Sequence, residues 1–153
     1  MDIPVIAAGG IADGRGLAAA FMLGAVGVQC GTCFLAAKEC TIHPNYKKRI
    51  IAAKDIDSVV TGRSTGHPVR TIRNKTTREY LRLEKEGASF EELENLTIGG
   101  LRRAVVEGDV SEGSVMAGQI AGLIKKKQSC REIIEELMAQ TEALFGECSS
   151  WVK

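Results

Sequence analysis

Two short hydrophobic runs near the start of the chain each end in glycine. Residues 4–8 run into a glycine pair, and residues 26–30 run into Gly31 and Thr32. Unbroken apolar runs of this length are typical of parallel strands covered on both faces. Residues 13–23, between the two runs, have helical periodicity, an N-cap candidate in Asp13 and a C-terminal glycine in Gly24. The pattern predicts a right-handed βαβ unit.

The rest of the chain has mostly helical periodicity. A β run is expected at residues 58–61, and a loop follows it. The predicted helices span residues 33–38, 43–54, 69–86, 89–106 with a break at Gly99-Gly100, 114–127, and a last helix opened by a capping box at 129–132. The last helix has the clearest apolar stripe, which indicates core packing. The helix over 69–86 is rich in arginine, which is more typical of a solvated face than of a binding surface.

The glycine-ended strands carry the main chemical prediction. Parallel neighbours end at the same edge of a sheet, and glycine lets the backbone turn and approach a ligand closely. We therefore expect the amides of Gly9, Gly10, Gly31 and Thr32 to bind one phosphate between them.

Composition narrows the function. The net charge is +1 and aromatic residues make up 5% of the chain, so neither predicts a nucleic-acid partner. No apolar stretch has transmembrane length and no signal peptide is recognised, so we expect no membrane partner. Five cysteines without a secretory signal favour reduced thiols in the cytoplasm. Cys30-x-x-Cys33 and Cys40-x-x-His43 leave a metal or redox site open, but the spacing favours ordinary packing and we predict no metal.

Four ordered motifs resemble one protein family. They are residues 3–14 with 27–32, His43-Pro-Asn-Tyr-Lys47, residues 66–74 (GHPVRTIRN) and residues 113–122 (GSVMAGQIAG). Together they resemble the flavin-dependent enoyl-acyl-carrier-protein reductase II family and its relatives, the nitronate monooxygenases. The resemblance implies an α/β fold: the C-terminal part of an FMN-binding (β/α)8 TIM barrel with a small helical insert. We expect the last two βα units at 1–56, the insert at 57–108 and C-terminal helices at 109–153.

The resemblance also implies FMN as cofactor and NAD(P)H as co-substrate. The expected cofactor-binding residues are Gly9, Gly10, Gln29, Gly31, Thr32, Met116, Ala117, Gly118 and Gln119. The Gln29 amide could reach the flavin or simply pack, and the stretch 116–119 could be ordinary helix packing. The family's proposed catalytic histidine is matched by neither His43 nor His67, so no catalytic residue is assigned. Cys33 stands where the family commonly has arginine.

The functional expectation is reduction of the enoyl double bond of acyl-carrier-protein thioesters in fatty-acid synthesis. The alternatives are oxidation of alkyl nitronates with O2, and a non-catalytic flavin- or phosphate-binding fragment. Arg70, Arg73 and Arg78 would suit an acidic carrier protein electrostatically. A half barrel exposes strand edges, so we expect a homodimer or pairing with an N-terminal half.

Overall fold

The computed structural model describes residues 3–148 and 150. Its strands are β1 (Ile6–Ala8), β2 (Gly27–Gln29), β3 (Ser58–Thr61) and β4 (Val69–Ile72). Its α-helices are α1 (Gly14–Met22), α2 (Thr32–Leu35), α3 (Pro44–Ile51), α4 (Lys75–Glu86), α5 (Phe90–Thr97), α6 (Gly100–Arg102) and α7 (Cys130–Cys148). Short 3-10 turns occupy Asp55–Asp57 and Gln119–Leu123, and a π-helical turn occupies Arg103–Glu107.

The amino-terminal βαβ unit forms as predicted. Strand β1 pairs parallel with β2, with Ile6 opposite Gly27, and both strands are shorter than the apolar runs suggest. The Asp13 side chain accepts the Arg15 N–H at 3.0 Å, which caps α1. Gly24 follows α1 with a φ of 93°, so it takes the left-handed conformation that ends a helix.

The predicted helix over 69–86 is wrong in its first third. Residues 69–72 form β4, which pairs antiparallel with β3 in a hairpin, and the helix begins only at Lys75. Asn74 fixes that boundary, because its side chain accepts the Thr77 N–H at 3.0 Å as an N-cap. In residues 69–72, three of the four side chains (Val69, Thr71 and Ile72) are β-branched, and β-branched residues suit a pleated strand.

The predicted helix over 114–127 is also wrong. Residues 114–118 instead form an extended segment beside β4. Ile72 N–H donates to Val115 O at 2.8 Å, and Met116 forms a bridge with Thr71. Only Gln119–Leu123 turns helically, as a 3-10 turn. A methyl group at Gly122 would lie 2.7 Å from Asp55 N, so the glycine allows close packing against the 3-10 turn Asp55–Asp57.

The helices flanking these segments are shorter than predicted. The predicted helix over 33–38 is the single turn α2, and that over 43–54 is α3. The stretch 89–106 begins with the expected capping box and breaks at Gly99, where φ is 71°. The α7 capping box also forms, because Glu132 N–H donates to Ser129 Oγ at 3.2 Å.

The core lies between α1, α7, α3 and the extended segment. Its fully buried members include Tyr46, Ile50, Ile72 and Val115. The apolar stripe on α7 is narrower than predicted. Of the residues expected to be buried there, Ile133, Leu137 and Thr141 are buried. Leu144, also expected in the stripe, is half-buried, and the remaining expected members Ile134, Met138 and Phe145 are exposed.

The β1–β2 pair presents apolar side chains to solvent. Within residues 3–148 this sheet has two strands, and Ile6 is 62% exposed. Ile3, Val5 and Val26 beside it are exposed as well. A parallel sheet is normally covered on both faces.

Over the described part of the chain, no helix is long and apolar enough to span a membrane.

The α1–α7 contact depends on Gly14. Its carbonyl accepts the Thr141 hydroxyl at 3.2 Å, and its N–H donates to Gln140 Oε1 at 2.8 Å. A methyl group at Gly14 would lie 2.3 Å from Gln140 Cβ, so the two helices would have to move apart.

We predict that Gly14→Ala lowers the free energy of unfolding by about 1–3 kcal/mol, as overpacking does. Gly146→Ala is the control, because a methyl group there has no atom of the described residues within 4 Å. It should be neutral or stabilising by up to about 1 kcal/mol. Urea unfolding followed by circular dichroism measures both, and equal midpoints for the two variants would contradict the packing account.

Candidate functional site

The two glycine-ended strands finish side by side. Ala8 lies opposite Gln29, so the Gly9-Gly10 turn adjoins the turn at Gly31. Gly9 and Gly10 have φ values of 85° and 78°, a backbone conformation that side chains larger than hydrogen disfavour. The Gly9 N–H donates to Gln29 O at 3.5 Å and so continues the sheet ladder. Of the four amides predicted to bind phosphate, that of Gly9 is therefore already used within the sheet.

The extended segment is tied to the end of β2. Gly118 N–H donates to the Thr32 hydroxyl oxygen at 2.8 Å. A methyl group at Gly118 would lie 3.0 Å from that oxygen, so glycine permits the approach. The side-chain nitrogen Nε2 of Gln119 lies 3.7 Å from the position that a Cβ on Gly10 would occupy. Three separated stretches of sequence thus meet at the strand ends.

A groove of about 570 Å³ opens beside this junction. Five predicted cofactor-binding residues line it, namely Gly31, Thr32, Met116, Ala117 and Gly118. The other four do not line it: Gly9, Gly10, Gln29 and Gln119 are exposed residues at its strand-end side. The groove is open to solvent and its wall is mostly apolar, with Leu35 and Val69 among its other members.

A hydrogen bond from Tyr46 holds the backbone of Met116, which lines the groove. The Tyr46 hydroxyl donates to Met116 O at 2.6 Å, and burial raises the pKa of Tyr46 to about 12. The hydroxyl therefore stays protonated and keeps donating at neutral pH. The Met116 backbone is held on its other side by the bridge to Thr71. The Met116 side chain itself is 37% exposed.

Burial favours the protonated thiols of Cys30 and Cys33. Burial raises the pKa of Cys33 to about 11, and burial also raises the pKa of Cys30. A protonated thiol is a poor nucleophile and a poor metal ligand. His43 Nδ1 accepts the Asn45 N–H at 3.1 Å as the cap of α3. Among the described residues no group of three or more His, Cys, Asp or Glu side chains could hold a metal ion.

The predicted basic helix face is divided between elements. Arg70 belongs to β4 and donates to Ser58 Oγ at 3.0 Å, whereas Arg78 belongs to α4. On α4 itself, Arg82 forms ion pairs with Glu79 and Glu86 at 2.6 Å. The helix therefore presents mixed charge, and the three arginines expected to meet a carrier protein do not share one helical face.

Comparison with known proteins places the chain in a family. The family model for nitronate monooxygenase matches residues 1–140. The chain belongs to the nitronate monooxygenase family. Members of this family are flavoenzymes, and the resemblance stated from the motifs is confirmed.

Relatives with solved structures confirm the fold. FabK from Thermotoga maritima is 46% identical with a TM-score of 0.94, over 99% of this chain and 48% of FabK. Nitroalkane oxidase from Streptomyces ansochromogenes is 29% identical with a TM-score of 0.73, over 94% of this chain and 40% of the oxidase. These are TIM-barrel proteins, so the predicted partial barrel is confirmed.

Curated relatives include a probable nitronate monooxygenase of Staphylococcus saprophyticus. It is 35% identical over 95% of this chain, which covers 41% of the relative. The chain thus spans less than half the length of this relative and of FabK.

Sequence reasoning missed two features of this candidate site. Tyr46 was named only as part of the motif at residues 43–47, and its bond to Met116 joins positions 70 residues apart. Arg70 and Val69 line the groove because they lie on β4, whereas the sequence predicted a helix there. A strand assignment at 69–72 would have pointed to both residues.

Proposed function

We propose that this chain is the flavin-holding part of an FMN-dependent oxidoreductase that reduces enoyl-acyl-carrier-protein thioesters with NAD(P)H. The observation that carries the cofactor half of the proposal is the side-by-side placement of two glycine turns, with the Thr32 hydroxyl between them and Gly118. Bare amides in such a concave arrangement suit an anion. A phosphate grip at the last two strand ends is a recurrent feature of (β/α)8 barrels.

The residues at the junction fit the phosphate of FMN. The position of a Cβ on Gly31 has nothing within 4 Å, so the space in front of this glycine is open. The Thr32 hydroxyl accepts from Gly118 N–H, and its own hydrogen remains able to donate to a phosphate oxygen. Each charge-assisted hydrogen bond of this kind contributes about 1.5–3 kcal/mol.

The neighbouring groove suits the rest of the cofactor. Ala117 is buried and small, and Gly118 has no side chain, so a flat ring system can approach the backbone here. Bound FMN would supply the hydride chemistry, while the chain holds and orients it. Tyr46 holds the Met116 carbonyl, and the Gln119 side chain lies close to Gly10 at the proposed phosphate grip.

The reductase is favoured by the likeness to FabK, an enoyl-acyl-carrier-protein reductase II. The identity of 46% and the TM-score of 0.94 exceed the values for the nitroalkane oxidase, which are 29% and 0.73. The second candidate is nitronate oxidation with O2. It is favoured by the family model over residues 1–140 and by the Staphylococcus saprophyticus relative. Both candidates use the same FMN grip.

We predict that Gly31→Ala weakens FMN binding about tenfold or more. The substitution needs no strained backbone, and the added methyl group enters the space proposed for the phosphate. Gly27→Ala, at the first residue of β2, is the matched control, since a methyl group there also has nothing within 4 Å among the described residues. It lies at the opposite end of β2 and should leave affinity unchanged. Quenching of flavin fluorescence measures both, and equal affinities for the two variants would contradict the grip.

The reaction is tested with flavin-loaded protein. We expect NAD(P)H oxidation that depends on a crotonyl thioester of acyl carrier protein, without oxygen uptake on addition of an alkyl nitronate. The reverse pattern would assign the protein to nitronate oxidation. Tight FMN binding with neither activity would leave only a flavin-binding role for the chain.

A further inference from the structure

A second hollow lies directly behind the cofactor groove. It has a volume of about 490 Å³ and shares the ridge Val69, Leu101 and Met116 with the groove. Strand β4, α4 and α5 enclose it. Apart from Met116, none of the residues predicted to bind FMN lines it.

The wall of this hollow carries many neutral hydroxyl groups. They belong to Thr61, Thr65, Thr71, Tyr80, Thr97 and Ser114. Several of these groups already have a partner: Thr97 donates to Glu94 O at 3.1 Å and Thr65 donates to Gly62 O at 3.1 Å. The charged residues Glu94 and Arg102 are exposed.

Thr71 is the exception in this wall. The residue is 4% exposed, and its hydroxyl oxygen has no hydrogen-bond partner among the described residues. A buried hydroxyl without a partner destabilises the fold, and an acceptor from outside the chain, either a ligand or a water molecule, would remove that cost. A small cavity of about 20 Å³ adjoins the hollow and shares Thr71, Tyr80 and Ser114 with it among other residues. It has room for one water molecule, which is the competing explanation.

We propose that this hollow receives the pantetheine arm of the thioester substrate, with the Thr71 hydroxyl donating to the amide carbonyl of the arm that lies farther from the thioester. The inference rests on the proposed reductase function. A pantetheine arm is neutral along its length and alternates amide groups with methylene and methyl groups. The hollow offers the same alternation: hydroxyls from the threonines, and apolar surface from Val69, Leu101 and Phe90.

Other parts of the reactants match the hollow less well. An acyl tail has no acceptor along its chain, so it would leave the Thr71 hydroxyl unpaired. A nicotinamide dinucleotide brings phosphate groups, which favour positive charge inside the site. The basic side chains of the lining are His67 and Arg102; both are exposed, and Arg102 Nε lies 3.7 Å from Glu107 Oε1.

The shared ridge sets the direction of the arm. The thioester end would lie over Met116 on the groove side, and the arm would pass from there into the hollow. The Met116 backbone is held by Tyr46 and by the bridge to Thr71, so the crossing point is fixed. A carrier protein at the other end of the arm would meet α5 and the mouth residues Glu94 and Arg102.

The test compares two probes that carry the same acyl group, S-crotonyl pantetheine and S-crotonyl N-acetylcysteamine. The second probe lacks the distal half of the arm. Isothermal titration of the flavin-loaded chain should show about tenfold tighter binding of the pantetheine probe, from the additional hydrogen bonds. Thr71→Val keeps the shape and removes the hydroxyl, so it should weaken that probe about three- to tenfold and leave the shorter probe unchanged.

Thr76→Val is the control, because its hydroxyl donates to Glu112 O at 2.7 Å and the residue does not line the hollow. It should retain the preference for the longer probe even if its melting temperature falls. Thr71→Val should melt at or above the wild-type temperature, which excludes unfolding as the cause of weaker binding.

Equal affinities for the two probes would overturn the inference. So would wild-type binding by Thr71→Val, because a water molecule then satisfies the hydroxyl. A preference that follows acyl length, measured with S-hexenoyl pantetheine, would assign the hollow to the tail. Failure of FMN to bind in the same samples overturns the proposed function instead, and so separates the two claims.

Discussion

The parallel pairing of β1 and β2 is the constraint on which the candidate site depends. With Ile6 opposite Gly27, the two glycine turns fall at the same level of the sheet. A shift of one residue would move every side chain of β2 to the opposite face. It would also separate the turn at Gly10 from the turn at Gly31. The register therefore fixes both the fold of this unit and the place where an anion can be held.

A second layer of contacts carries the site outward from the strand ends. The bond from Gly118 to Thr32 joins the extended segment to β2, and the bond from Tyr46 to Met116 joins it to α3. The same segment pairs with β4 through Val115. The groove and the hollow behind it thus share one wall, which is held from three directions. A molecule that occupies either space meets the Met116 side chain.

Local chemistry was sufficient to predict the first and last elements. Asp13 and Gly24 mark the start and the end of α1, and the capping box at Ser129 begins α7. The glycine-ended apolar runs predict the βαβ unit. These signals act within a few residues of each other, so the sequence displays them directly. The family resemblance, drawn from four motifs, supplied the barrel and the site residues that a single glycine pair could not.

Non-local pairing explains what the sequence did not reveal. Residues 69–72 are followed by a strongly charged helix, and their strand state depends on β3 across a turn. Val115 and Ala117 are buried because they lie against β4, while the spacing of Met116, Ile120 and Leu123 imitates a helix. Neither partner strand can be read from the segment itself. Tyr46 was missed for the same reason, since its partner lies 70 residues away.

The central claim is that backbone amides at the two neighbouring strand ends bind one phosphate group. Titration of the 15N-labelled chain with inorganic phosphate, followed by amide NMR shifts, tests it most directly. The account predicts saturable shifts concentrated at Gly10, Gly31 and Thr32, with the Gly9 amide, already bonded to Gln29, changing less. Shifts absent from these amides, or spread evenly over surface residues near lysines and arginines, would contradict it.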